Sequence, residues 1–231
     1  MKGCSLNQGA SWPALGAYLF SLIFTGQIAC ATTRSLDDAE AARMMEEAVI
    51  YAYPLILMDL TKDVMTSVSS PMAGRAPVNE FAHVRRLSDN SNTDIVSPNV
   101  DTLYSLAWLD LRAEPVVLSV PDTAERYYLM PIMDAWTNVF ATIGKRTTGT
   151  KIGTYAIVGP GWSGDLPLDV VPIQSPTNTV WIVGRTQCDG PNDVPAVNKI
   201  QDGFGLTKLS AWMAGARPGQ PSWPVSFEQP P

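Results

Sequence analysis

From Thr102 onward the sequence is cut into short runs of β-branched and aromatic residues, each closed by Gly, Pro, Asn, Asp or Ser, and that rhythm commits the chain to a sheet-rich body. The spacing predicts strands over Thr102–Leu111, Pro115–Val120, Arg126–Pro131, Trp136–Gly144, Thr154–Val158 and Val180–Arg185. The gaps between runs suit hairpins and arches rather than βαβ units, so the expected fold class is α+β, mainly β, with an antiparallel β-sandwich. Pro131 cannot donate to a ladder and belongs at a sheet edge or a bulge.

The segment before these runs has a different period. Ala42, Met45, Val49, Ala52, Ile56 and Leu60 recur at steps of three and four, which predicts a helix from Ser35 to about Ser67 with that stripe facing the core. Ser35 followed by Asp38 resembles a capping box. Pro54 cannot donate to the carbonyl of Ile50, so a bend or break is expected there. Met44, Met45, Tyr51 and Tyr53 read as core filling. After a loop from Ser67 to Pro77, Asn79–Leu87 reads as a short second helix, and Asn192–Gln201 as a late one. The proline-rich stretch Gly215–Pro231 has no periodicity and reads as a tail or linker. The expected layout is therefore 1–31 signal peptide, 35–90 helical segment, 91–212 β-sandwich with a late helix, and 213–231 tail or linker.

The first thirty-one residues contain Lys2, no acid, an apolar run from Ala14 to Phe24 and a close on Ala29-Cys30-Ala31. This is the layout of a cleavable export signal, too short to span a bilayer. Cleavage after Ala31 and a periplasmic or secreted location are expected; lipidation at Cys30 is the alternative, with Gln27 standing where a lipobox wants an aliphatic residue. Processing removes Cys4 and Cys30 and leaves Cys188, so the mature fold has no intramolecular disulfide to form. The net charge of -6 gives no basic footprint for nucleic acid or an anionic membrane.

Chemical motifs are sparse. Gly159-Pro160-Gly161-Trp162-Ser163-Gly164 satisfies G-x-G-x-x-G, but Pro167 and Pro172 follow and no helix can open there to face a phosphate, so it reads as a turn. His83 is the one histidine, which leaves neither a zinc ligand set nor an ordinary Ser-His-Asp triad. Asp89, Ser91, Thr93 and Asp94 offer oxygen ligands for calcium without the EF-hand spacing. No cofactor and no metal are expected.

The best functional candidate is the polar knot Ser97-Pro98-Asn99-Val100-Asp101-Thr102 ahead of the first strand. In an extended run Asn99 and Asp101 project to one side, where they either bind a small polar ligand or close an Asx-turn that starts the strand. Tyr104, Tyr127, Tyr128, Asp134, Arg146 and Arg185 also fall at strand ends, and Arg146 or Arg185 paired with Asp101 or Asp134 is the natural internal ion pair. The candidate ligand-binding set is Asn99, Asp101, Tyr104, Tyr127, Asp134, Arg146, Arg185 and His83. Two functions fit it: a binding or scaffold module for a small polar ligand, glycan or envelope partner, or a hydrolase or lyase using Asp101 and Asp134, with Tyr104 or Arg146 polarising the substrate.

"SPNVDTLYSLAWLDL" (97–111), "EPVVLSVPD" (114–122), "RYYLMPIMDAWTNVFATIGKRTTG" (126–149), "YAIVGPGWSGDLP" (155–167) and "SPTNTVWIVGRT" (175–186) together resemble the family called domain of unknown function 1254, over roughly 41–212. The resemblance implies an N-terminal helical portion joined to an immunoglobulin-like β-sandwich in proteins often exported by bacteria. It implies no settled chemistry and no catalytic residue. Relatives commonly continue into a domain of unknown function 1214, so a homo-oligomer or an absent C-terminal domain is an expected partner.

Overall fold

The structure is a computed structural model that describes residues 37–72, 74–91 and 96–217; the expected signal peptide and most of the expected tail lie outside the described residues. The chain divides into two units, 1–42 and 43–231. The described part of the first is the opening of helix α1 (Asp38–Thr66), where Asp37 Oδ1 accepts the amide of Glu40 at 2.7 Å. Asp37 thus caps the first turn, and Ser35, of the expected capping box, lies outside the described residues. In the second unit α1 continues and is followed by strands β1 (Ala82–His83), β2 (Thr102–Asp110), β3 (Val116–Val120), β4 (Tyr128–Met133), β5 (Val139–Gly144), β6 (Gly153–Val158), β7 (Val171–Gln174) and β8 (Thr179–Gln187). A 3-10 turn (Pro191–Asp193) leads into α2 (Val194–Asp202), β9 (Gly205–Lys208) and α3 (Leu209–Met213).

The strands form two sheets, ordered β1-β2-β8-β4-β5 and β7-β6-β3-β9, antiparallel except for the β6–β7 pair. Alternation along each strand supplies one apolar face to a shared core. Ala107, Leu109, Met130, Ile132, Val180 and Ile182 from the larger sheet meet Val116, Leu118, Val120 and Ile157 from the smaller one. A second cluster lies on the other side of the smaller sheet, where Val117, Ala156 and Val158 bury against Leu209 and Trp212 of α3. Glu114 accepts both the amide and the hydroxyl of Ser210, which holds α3 in place.

The helix expected over Asn79–Leu87 is instead a turn and an edge strand. Asn79 sits at φ 68°, its amide donates to the carbonyl of Trp108 and its Oδ1 accepts the amide of Asp110. Ala82 and His83 then pair with Leu106 and Ser105. Satisfying the open edge of β2 outweighs a weak local helix preference. The strands β7 and β9 have no counterpart among the expected runs; both are four residues long and mostly exposed or half-buried, so no apolar alternation marks them.

Helix α1 overturns the expected core stripe. It runs through Pro54 without interruption and buries Met58 alone, while Met45, Val49, Ile56 and Leu60 face solvent. Nor are Met44, Tyr51 and Tyr53 core filling; all three are exposed. Pro131 lies in β4, which is flanked by β8 and β5, and the register of β4 against β5 shifts between Ile132 and Met133, so the proline sits beside a bulge rather than on an edge. Cys188 is buried with Leu103 and Val197, and burial pushes its thiol up.

Candidate functional site

The larger sheet turns one face to the core and presents Tyr104, Arg185, Leu129 and Tyr127 on the other. Register produces this grouping: Tyr104 lies directly opposite Arg185, and Arg185 directly opposite Leu129. Pairing continues one step past the strand, where the amide of Gln187 donates to the carbonyl of Tyr127. Tyr127 is therefore a diagonal neighbour of Arg185, a relation that puts the two residues about 7–8 Å apart, within reach of long side chains. The Arg185 guanidinium lies 5.7 Å from the Tyr104 ring centroid, and that of Arg146 lies 5.3 Å from the Tyr127 ring. Arg146 is carried by the tight turn after β5, in which the amides of Thr147, Thr148 and Gly149 all donate to the carbonyl of Gly144. At Gly144 a Cβ would stand 2.6 Å from the carbonyl oxygen of Tyr128, so only glycine lets the turn close there.

Neither arginine forms an ion pair among the described residues. The Nε of Arg185 is buried with no hydrogen-bond partner, as is the indole Nε1 of Trp181 on the same strand face. The expected pairing of Arg146 or Arg185 with Asp101 or Asp134 does not form. Asp134 spends its carboxylate on its own turn: Oδ1 accepts the amides of Trp136 and Asn138, and Oδ2 accepts the Asn138 side-chain amide. Asp101 is exposed at the start of β2, its carbonyl accepting the amide of Cys188. Asp101 lies beside Cys188 and Asp134 beyond the Met133–Trp181 pair, so the run of β8 from Trp181 to Cys188 separates them, about 23 Å at the usual strand rise. A carboxylate pair for acid–base work needs a separation on the order of 5–10 Å, and the two groups are not brought together.

Asn99 closes the turn into β2. Its amide donates to the Tyr104 hydroxyl at 2.9 Å and its side-chain amide to the Thr102 hydroxyl at 3.2 Å. These two bonds tie Asn99 to the opening residues of β2 and hold the Tyr104 hydroxyl. His83 stands elsewhere, stacked on Phe81 at 5.3 Å with its Nδ1 2.9 Å from the Ser105 hydroxyl. The fully buried Gln201 donates to the Val84 and Tyr104 carbonyls and to Ser105, joining β1, β2 and α2. Burial first, and the nearby Arg85 second, push the His83 imidazole down to about 4, against an opposing pull from Asp202. It is a neutral structural group. Tyr128 points into the core, and burial raises its phenol.

A cleft of about 680 Å³ opens between the β3–β4 connection and α2, lined by Thr123, Glu125, Arg126, Gln187, Lys199 and Ile200. None of these residues was among the candidates read from sequence, and Arg126 is committed to Asp193 through two bonds of 2.5 and 2.8 Å. That guanidinium holds the Asp193 carboxyl below the usual carboxylate range. Ala124 and Glu125 at its rim sit at φ 51° and 63°, an uncommon conformation for non-glycine residues. No local signal in the sequence joins Arg126 to Asp193, which lie 67 residues apart. Among the described residues no group of three or more His, Cys, Asp or Glu could hold a metal, and no helix is long and apolar enough to cross a membrane. Asp89 and Ser91 form a local turn, and Thr93 and Asp94 lie outside the described residues.

Comparison with solved structures gives the VPA0106 protein from Vibrio parahaemolyticus, 28% identical over 80% of this chain with a TM-score of 0.60; the match spans 43% of that protein's own chain. An uncharacterized protein from Burkholderia cenocepacia matches at 14% identity and a TM-score of 0.39, over 58% of this chain and 36% of its own. No curated protein matches the sequence. The family model described as protein of unknown function (DUF1254) matches residues 78–208, which hold all the strands of both sheets, and the chain is a member of that family.

Proposed function

We propose that the chain is an exported binding module, with an immunoglobulin-like arrangement of its two sheets, that takes a small anionic ligand such as a carboxylate or an acidic sugar on the outer face of the larger sheet. One observation carries this reading: the Arg185 guanidinium lies over the Tyr104 ring with its Nε buried and unpaired. A partly desolvated cation without a carboxylate costs free energy in the unliganded protein, and an incoming anion removes that penalty while forming charge-assisted hydrogen bonds. Arg146 on Tyr127, the diagonal neighbour of Arg185, adds a second cation to this part of the sheet. The aromatic rings give a sugar or planar acid a surface to lie on.

Melting of the purified protein with uronic acids and small dicarboxylates, set beside their neutral counterparts, tests this. A ligand at about 100 times its Kd stabilises the native state by roughly 2.7 kcal/mol, a rise in Tm of a few degrees. The acids should raise Tm and the neutral sugars should not. Arg185→Gln should abolish the rise, whereas Arg112→Gln, which removes an exposed pair with Asp110, should keep it. Equal effects of charged and neutral compounds, or none on folded protein, would defeat the proposal. Mass spectrometry of the exported product should give Thr32 as its first residue.

A further inference from the structure

Helix α1 has two apolar faces, and one of them is open. Met58 and Met65 lie on the side that meets the sheet, where the Trp108 indole donates to the Met65 sulfur at 3.4 Å. On the opposite side Met45, Val49, Ile50, Tyr53, Ile56, Leu57, Leu60 and Val64 fall within an arc of about 140° at 100° per residue. Each of these eight is between 42% and 68% exposed. Glu46 shares this arc and Asp63 lies at its edge. Isolated exposed apolar residues are ordinary, but eight of them along nearly thirty ångströms of one helix face mark an interface.

We infer that this stripe is the interface between two copies of the chain, packed α1 against α1 about a two-fold axis near Tyr53. The size fits. With roughly 200 Å² for a large apolar side chain, the exposed part of the stripe is on the order of 900 Å² per copy, against about 800 Å² per partner in a standard stable interface. The stripe is its own complement in shape and chemistry, which a two-fold contact requires.

Sedimentation of the full chain across micromolar concentrations should give twice the 25.0 kDa mass of one copy. Leu60→Glu and Val49→Glu place an unpaired charge in the interface and should weaken association by about 100-fold or more, leaving the far-UV ellipticity of the resulting monomer close to that of the parent. A chain that remains monomeric throughout overturns the inference. So does a dimer that survives both substitutions, the result expected if copies associate through the apolar run at 14–24 or through another surface. Loss of fold in one variant is separated by Glu47→Lys, which lies off the stripe and should retain both fold and dimer; a Glu47→Lys chain that falls to monomer also overturns the pairing.

Discussion

Burial of the His83 imidazole has as its consequence a pH-dependent stability. The ring titrates near 4 in the folded chain against about 6.5 when unfolded, so between these values the unfolded state binds the proton that the native state refuses. The contribution is fully present above pH 6.5 and is lost as pH falls toward 4, by no more than about 3 kcal/mol. Urea melts at stepped pH should show this loss, and His83→Asn should flatten the profile in that window; an unchanged slope would mean that the imidazole is more solvated than its stacking on Phe81 implies. Arg185 is the opposite case, a permanent cation that cannot shed its charge to relieve burial, so it keeps an unmet demand that a ligand can satisfy. Both residues were named from the sequence. What the sequence could not tell was that one of them is sealed by Ser105 and Gln201, whose neighbourhood to His83 depends on β1 pairing with β2 and on α2 reaching across.

Among the elements, the strands that share a core announced themselves and the ones that close edges did not. β2, β3, β6 and β8 carry continuous burial or clean alternation, and their expected bounds agree with the structure to within two residues. β5 begins later than its run of aromatic and β-branched residues suggested, because the Asp134 carboxylate captures the amides of Trp136 and Asn138 and holds that stretch as a turn. β1, β7 and β9 exist because a neighbouring strand had unpaired backbone groups, a cause that no local pattern records. Helix α1 was legible as a helix, yet its attachment was not. Met58→Ala should therefore cost about 2 kcal/mol or more and raise the amide exchange of α1 while leaving the two sheets protected. Uniform loss of protection across β2 and β8 would show that helix and sheets unfold as one.

Across the second unit, residues 43–231, stability is concentrated where the two sheets share side chains. Ile182 is fully buried between β2 and β4 rows and faces the smaller sheet, so Ile182→Ala should cost about 2–5 kcal/mol, whereas Val171→Ala on the exposed edge strand β7 should stay within about 0.5 kcal/mol. Chemical denaturation of both variants checks the contrast. By itself the sequence determined the class of the molecule, since period-two runs bounded by turn residues bury one face only as sheets, and its ordered motifs determined the family. It also named Tyr104, Tyr127, Arg146 and Arg185, because arginine and tyrosine at strand ends are visible one residue at a time. Which of those side chains meet is a matter of register between strands up to eighty residues apart, and only the tertiary structure decided that Arg185 lies on Tyr104, that Asp134 turns inward on its own loop, and that the apolar stripe of α1 faces outward. Long-range pairing and the choice of which apolar face to bury are set by the free energy of the whole assembly of strands, and no window of sequence contains it.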